Sequence, residues 1–274
     1  MVGRFGIWLP ARQATPDLAA AAEGLGFGTV WLGGSPGADL AVVDGLLDAT
    51  TTLVVATGVE NIWQSDAREL AGSFARIDAK HPGRFLLGIG AGHPEATSEY
   101  ARPYEAVAGY LEVLLGAGVP GGSVVLAALG PRMLRLAAQR SAGAHPYLVT
   151  TAYTRLAREI MGTGPLLATE HKAVIGTDPL AARELARSRV APYLGLVNYV
   201  SNLRRLGWTD ADLAGGGSDA LVDALVAHGD PVHIAEQLTE HLLAGADHVC
   251  VQVLGPPGAD PLGGYQALAS ALRH

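Results

Sequence analysis

Two registers of apolar residues alternate along the chain: short runs that are apolar at nearly every position, and longer stretches whose apolar residues recur every three or four positions. The runs suit buried parallel strands and the stretches suit amphipathic helices packed over them. Strands are read over residues 4–9, 29–32, 53–59, 84–89, 123–129, 146–150, 172–175 and 247–253. Thr15 followed by Pro16 marks the first helix, as an N-cap before a proline in the first turn. Between the third and fourth strands, Leu70, Phe74 and Ile77 share one helical face while Arg68, Arg76 and Lys80 take the other. Eight such βα units predict an α/β fold, a closed (β/α)8 TIM barrel.

One interval is abnormal. The stretch from the seventh to the eighth strand is about three times as long as the others. It holds a helical pattern from Ala181, a break at Gly215-Gly216-Gly217, and helical patterns over 221–227 and 234–243. This predicts an insertion, approximately residues 190–230, between strand seven and its helix, within one domain spanning 1–274. A closing helix is read over 265–272.

Composition sharpens the picture. Of 274 residues, 49% are apolar and 16% charged, which is far from disorder. A net charge of −7 gives no electrostatic basis for binding a phosphate backbone, so a nucleic-acid partner is not expected. The sole cysteine, Cys250, rules out an internal disulfide framework and points to the cytoplasm. No charged leader precedes an apolar core and no apolar run reaches ~18 residues, so neither export nor membrane spanning is expected. The pairs His228/His233 and His241/His248 lack HExxH spacing, and no metal is expected.

In a βα barrel the chemistry sits after the carboxyl ends of the strands. Three such segments are rich in small residues: Gly58-Val59-Glu60-Asn61-Ile62-Trp63, Gly90-Ala91-Gly92-His93 and Ala128-Leu129-Gly130-Pro131-Arg132-Met133. They form consecutive lips around one mouth. The second begins like a dinucleotide fingerprint, but its sixth position is His93, and it closes the fourth strand rather than opening a first βα unit. The third places Pro131 at a helix start, where free amides can hold an anion, although a purely structural helix start reads the same. Ser35, followed by Pro36, is a turn and not a nucleophile elbow. Trp8 and Trp31 lie within strands and read as packing, whereas Trp63 lies beyond a strand end and suits a pocket wall for a planar ring.

The chain resembles the luciferase-like flavin and deazaflavin oxidoreductases, particularly the actinobacterial branch that depends on coenzyme F420. The resemblance is carried by residues 55–63, 83–93, 126–133, 144–150 and 244–253, nearly the whole length. It implies F420, or alternatively FMN, with its ring against a bulge of the third strand and a non-prolyl cis peptide near Gly58-Val59. It further implies a phosphate held at Gly90, Ala91, Gly92, Ala128, Leu129 and Gly130, with Thr150 a further candidate, and Asn61 and Trp63 beside the substrate. A homodimer acting on a small molecule is the family pattern. His93 falls where sugar-phosphate dehydrogenases of this family carry an acid, and becomes the candidate proton donor.

The chain also departs from that pattern. Those dehydrogenases and the luciferases carry a functional histidine just after the second strand, where this sequence reads Trp31-Leu32-Gly33-Gly34-Ser35. Oxidation of an alcohol then lacks its base, whereas reduction of an activated C=C or C=N bond needs only hydride and one acid. An F420-dependent reductase is therefore expected. The alternatives are an FMN-dependent monooxygenase fed by a partner reductase, and a silent flavin-binding barrel.

Overall fold

The computed structural model describes residues 2–96, 102–176, 178–256 and 258–273. The first half runs β1 (Phe5–Pro10), α1 (Pro16–Gly24), β2 (Thr29–Gly33), α2 (Ala41–Asp48), β3 (Val54–Thr57), β4 (Glu60–Asn61), α3 (Ala67–Lys80), β5 (Phe85–Gly90) and α4 (Pro103–Gly116). It continues with β6 (Val124–Leu126), α5 (Pro131–Arg140), β7 (Gly143–Ala144), α6 (Thr151–Met161) and β8 (Leu166–Ile175). Then come α7 (Pro179–Val190), α8 (Val197–Arg205), α9 (Asp210–Leu213), α10 (Asp219–Leu225), β9 (Val226–Gly229), α11 (Pro231–Leu243), β10 (His248–Val253) and α12 (Leu262–Ala271).

All ladders are parallel, and pairing of β10 with both β8 and β1 closes a barrel of eight strands, with β4 continuing β3 past a break and β9 added beside the end of β8. Outward residues such as Ile7, Leu9, Val30, Leu32, Val249 and Val251 join the helices in one apolar layer. Burying such side chains contributes about 1.5–3 kcal/mol each, which is why these strands read as apolar runs. The interior is different. Trp8, Trp31, Ala56, Val125, Ala168 and Cys250 fill it together with polar rings, and the Trp8 indole packs against Gly33 and Gly58. A β-carbon on Gly33 would lie 1.9 Å from Trp8 Cζ2, so the Trp8 indole occupies the space that a side chain after β2 would take.

Helix signals in the sequence are realised locally: Thr15 Oγ1 accepts the Leu18 N–H, and Leu70, Phe74 and Ile77 are all buried. Several strand bounds shift. The sixth strand is Gly143–Ala144 rather than 146–150; from His145 the chain leaves the ladder, and the Leu148 N–H, at φ 54°, is taken by Glu170 Oε2 at 3.1 Å. The seventh strand begins at Leu166, six residues before its expected start, because Glu170 and Lys172 satisfy each other inside the barrel and do not interrupt the strand. The fifth is shorter than read, and the helix expected over 221–227 ends at Leu225 to give way to β9.

Among the described residues no helix is long and apolar enough to cross a membrane.

Candidate functional site

The third strand is broken where a cofactor platform is expected. After Thr57 the chain passes through a cis peptide at Gly58-Val59 and rejoins the sheet as β4. Thr57 Oγ1 donates to Gly88 O at 2.8 Å and accepts the Gly88 N–H at 2.7 Å, so a hydroxyl replaces the lost ladder at the break. Glu60, buried beneath it, accepts the Ser35 and Ser65 hydroxyls at 2.8 and 2.6 Å, and Ser35 Oγ accepts the Asn61 N–H at 2.8 Å. This clamp ties the loop after β2 to the first lip. The turn residue Ser35 thus positions the lip rather than attacking a substrate.

Above the break opens a cavity of about 690 Å3. Gly58, Val59 and Asn61 from the first lip, Gly90, Ala91, Gly92 and His93 from the second, and Ala128, Leu129 and Gly130 from the third all line it. The structure brings together every expected site residue but two. Thr150 is 3% exposed and lies outside the lining; it caps α6 by accepting the Tyr153 N–H at 3.2 Å. Trp63 also lies outside the lining and donates Nε1–H to Ala91 O at 2.8 Å, bracing the second lip from behind. Asn61 Oδ1 accepts the Trp63 N–H at 3.0 Å, a bond within the first lip that holds the residue bracing the second.

His93 sits at the rim, where its Nδ1–H donates to Asn198 Oδ1 at 3.3 Å and its ring lies 5.3 Å from that of Tyr199. Both partners belong to α8, so the stretch between β8 and α11 supplies one wall of the cavity. The third lip is fixed from below by Tyr153, whose hydroxyl donates to Ala128 O at 2.6 Å. Gly130 caps α5 without a side-chain acceptor, which leaves the first amides of that helix uncapped at the cavity edge.

The floor escaped the sequence reading. Trp8 from β1, with His145 and Tyr147 from the segment after β7, line the cavity from beneath. His145 Nδ1–H donates to Ala168 O at 2.8 Å, and burial pushes its pKa down to about 3, so the ring is neutral and Nε2 is an acceptor. That Nε2 and the Trp8 Nε1–H are buried polar atoms without a hydrogen-bond partner among the described residues. Both face Gly58, where a β-carbon would meet them at 2.9 and 3.0 Å, so only glycine lets the first lip close over this donor–acceptor pair. Below, Trp31 stacks on His145 at 4.0 Å and donates Nε1–H to His248 Nε2 at 3.0 Å. In sequence Trp8 reads as packing within β1, Tyr147 falls inside the expected strand 146–150, and His145 lies just before it.

Among the described residues, no three His, Cys, Asp or Glu side chains gather as a metal site would require.

Solved structures share this architecture. The chain superimposes on an F420-dependent secondary alcohol dehydrogenase in complex with an F420-acetone adduct with a TM-score of 0.76 and 15% identity, covering 100% of both chains. A coenzyme F420 dependent tetrahydromethanopterin reductase from Methanopyrus kandleri gives 0.74 and 20% over 98% of both chains. The FMN-bound oxygenating constituent of a 3,6-diketocamphane monooxygenase from Pseudomonas putida gives 0.66 and 16%, covering 97% of this chain and 96% of the other. At these identities the likeness is one of fold. No curated protein matches the chain in sequence. The profile of the luciferase-like monooxygenases matches residues 4–248, nearly the whole barrel, and the chain belongs to that family.

Proposed function

We propose that the chain is a coenzyme F420-dependent oxidoreductase that works as a reductase on a small organic substrate. The observation that carries the reading is the pairing of His93 at the rim with a second strand that ends in Gly33, covered by the Trp8 indole, so that β2 supplies no base, while His145, the other imidazole in the described lining, is held neutral by burial with a pKa pushed down to about 3 and is a weak base. The residues present fit a tricyclic cofactor. Val59 beside the cis peptide and Ala127 offer small apolar groups on either side of Gly90, and the uncapped start of α5 offers amides for a phosphate. Gly90, Ala91 and Gly92 with Ala128, Leu129 and Gly130 would hold the cofactor, and Asn61 would set the floor level of the substrate.

The deazaflavin supplies hydride chemistry when bound. As the imidazolium, His93 delivers the Nε2 proton while its Nδ1–H stays on Asn198 Oδ1, and Nε2 has no hydrogen-bond partner among the described residues. Trp8 and Tyr147 exclude water from below.

Fluorescence titration with F420 and with FMN tests the cofactor: F420 is expected to bind more tightly. Tighter binding of FMN, together with oxygen consumption in the presence of a flavin reductase, would move the chain to the flavin monooxygenases. His93→Ala is expected to leave cofactor affinity unchanged and to lower turnover by ~100-fold, with His93→Glu restoring part of it. Near wild-type turnover in His93→Ala, with only a raised KM, removes the acid role.

A further inference from the structure

The cavity over the first three lips has a neighbour. A second space of about 790 Å3 opens above the ends of β8, β10 and β1, and the two share Trp8, Pro10, Arg12, Tyr147, Tyr193 and Gln252 as a common wall. What distinguishes the second space is its charge: Arg12, Lys172 and Arg189 line it, against Asp260 as the one acidic side chain in the described lining.

The three cations are not equivalent. Lys172 is buried and held by Glu170 Oε1 at 2.9 Å, so its charge is already matched. Arg189, at the end of α7, gives one N–H to Gly255 O at 3.0 Å and has no other side-chain hydrogen bond or ion pair among the described residues. Arg12, in the turn after β1, has no hydrogen bond or ion pair among the described residues and lines both spaces. Asp260 accepts the Leu262 N–H at 2.9 Å through one oxygen at the start of α12 and makes no ion pair with either arginine among the described residues. Two guanidinium groups from distant parts of the chain therefore line one concave space, neither of them in an ion pair among the described residues. Its inner wall is ready for an uncharged body: Trp8 and Tyr147 lie 5.2 Å apart, and the Tyr147 hydroxyl donates to Gln252 Oε1 at 3.0 Å.

We propose that this second space is the substrate subsite and that it selects small organic anions. A carboxylate or phosphate group is held by Arg12 and Arg189, and the remainder lies along Trp8 and Tyr147 toward the first cavity. Planar guanidinium forks match such groups in two-point fashion and, unlike a lysine, do not lose their charge. The inference rests on the proposed placement of the cofactor in the first cavity, since the shared wall then turns the near end of the substrate toward the ring. The anionic side chain of the cofactor itself carries the same chemistry, so the two sources have to be separated.

The experiment titrates the cofactor-free protein with inorganic phosphate and with succinate at constant ionic strength, followed by tryptophan fluorescence and calorimetry, and in parallel with F420. Saturable binding of at least one anion is expected, weakened ~10-fold or more in both Arg12→Gln and Arg189→Gln, as loss of a charged hydrogen bond predicts. F420 affinity is expected to stay within about twofold of wild type in Arg189→Gln, whose arginine lines only the second space. Both arginines are exposed, and the glutamine variants keep the fold. Anion binding that survives unchanged in the double variant overturns the proposal. So does a parallel loss of F420 affinity in Arg189→Gln, which would give the arginines to the cofactor. If wild type binds the anions through these arginines but fails to bind F420, the anion subsite stands and the F420 reading alone falls.

Discussion

Lowering the pH from 7.5 to 5 is expected to destabilise the fold by about 6 kcal/mol through three buried imidazoles alone. Burial drives the pKa of His145 down to about 3 and those of His241 and His248 to about 4, from an ordinary value of 6.5. Each ring is neutral in the fold because its surroundings match the neutral form. His248 Nδ1–H donates to Gly3 O at 2.8 Å while its Nε2 accepts from Trp31, and His241 bridges Thr154 Oγ1 at 2.8 Å and His171 at 3.0 Å. In the unfolded chain the same rings protonate freely below about pH 6.5. Between the two pKa values the unfolded state binds more protons, so stability is full above pH 6.5 and falls as the pH drops toward 4. At pH 5 each ring contributes a loss of about 2 kcal/mol, and His171, shifted in the same direction, adds to it. Domains of this kind are stable by about 5–15 kcal/mol, so unfolding is expected to set in near pH 5. Urea denaturation at half-unit pH steps measures the slope, and a midpoint constant from pH 7.5 to 5 would overturn the account.

Lys172→Met is expected to cost about 3–5 kcal/mol at neutral pH, because it leaves the Glu170 carboxylate in the barrel without its cation. The pair is almost wholly enclosed, with side chains 2% and 0% exposed, and the ammonium also lies 3.7 Å from the Tyr147 ring centroid. Glu170 does more than pair: its second oxygen holds the Leu148 N–H in the segment that carries His145 and Tyr147 to the cavity floor. The double variant Glu170→Gln with Lys172→Met is expected to recover most of the stability, since no unpaired charge remains. Denaturant midpoints of the single and double variants decide it. A single-variant loss below about 1 kcal/mol would mean that water reaches the pair and screens it.

The two predictions draw on features that differ in how far they show in the sequence. Helix starts were legible because their causes are local: Thr15 caps the helix that follows it, and Pro131 opens α5, within one turn of the residues they affect. The outward faces of the strands were legible because burial under helices makes each apolar run continuous, and this was enough to predict eight βα units and the long interval before the last strand. The three lips followed from strand ends, and residues of all three line one cavity.

Tertiary structure alone decided the interior and the floor. Residues 146–150 have the composition of a strand, yet they run as a loop, because a carboxylate 22 positions later takes the Leu148 amide that a ladder would have used. Charged Glu170 and Lys172 look like a strand end in sequence and sit inside one in space, since each supplies the counter-charge the other needs. Thr150, expected at the cofactor, caps α6 and lies outside the lining of the cavity that His145 and Tyr147 reach. His93 meets Asn198 across 105 positions, and Arg12 and Arg189 come to line one space. Hydrophobic periodicity reports how each residue is buried against its nearest layer. Which side chains meet at the mouth depends on ring closure and strand register, and these are set only when β10 pairs with both β1 and β8.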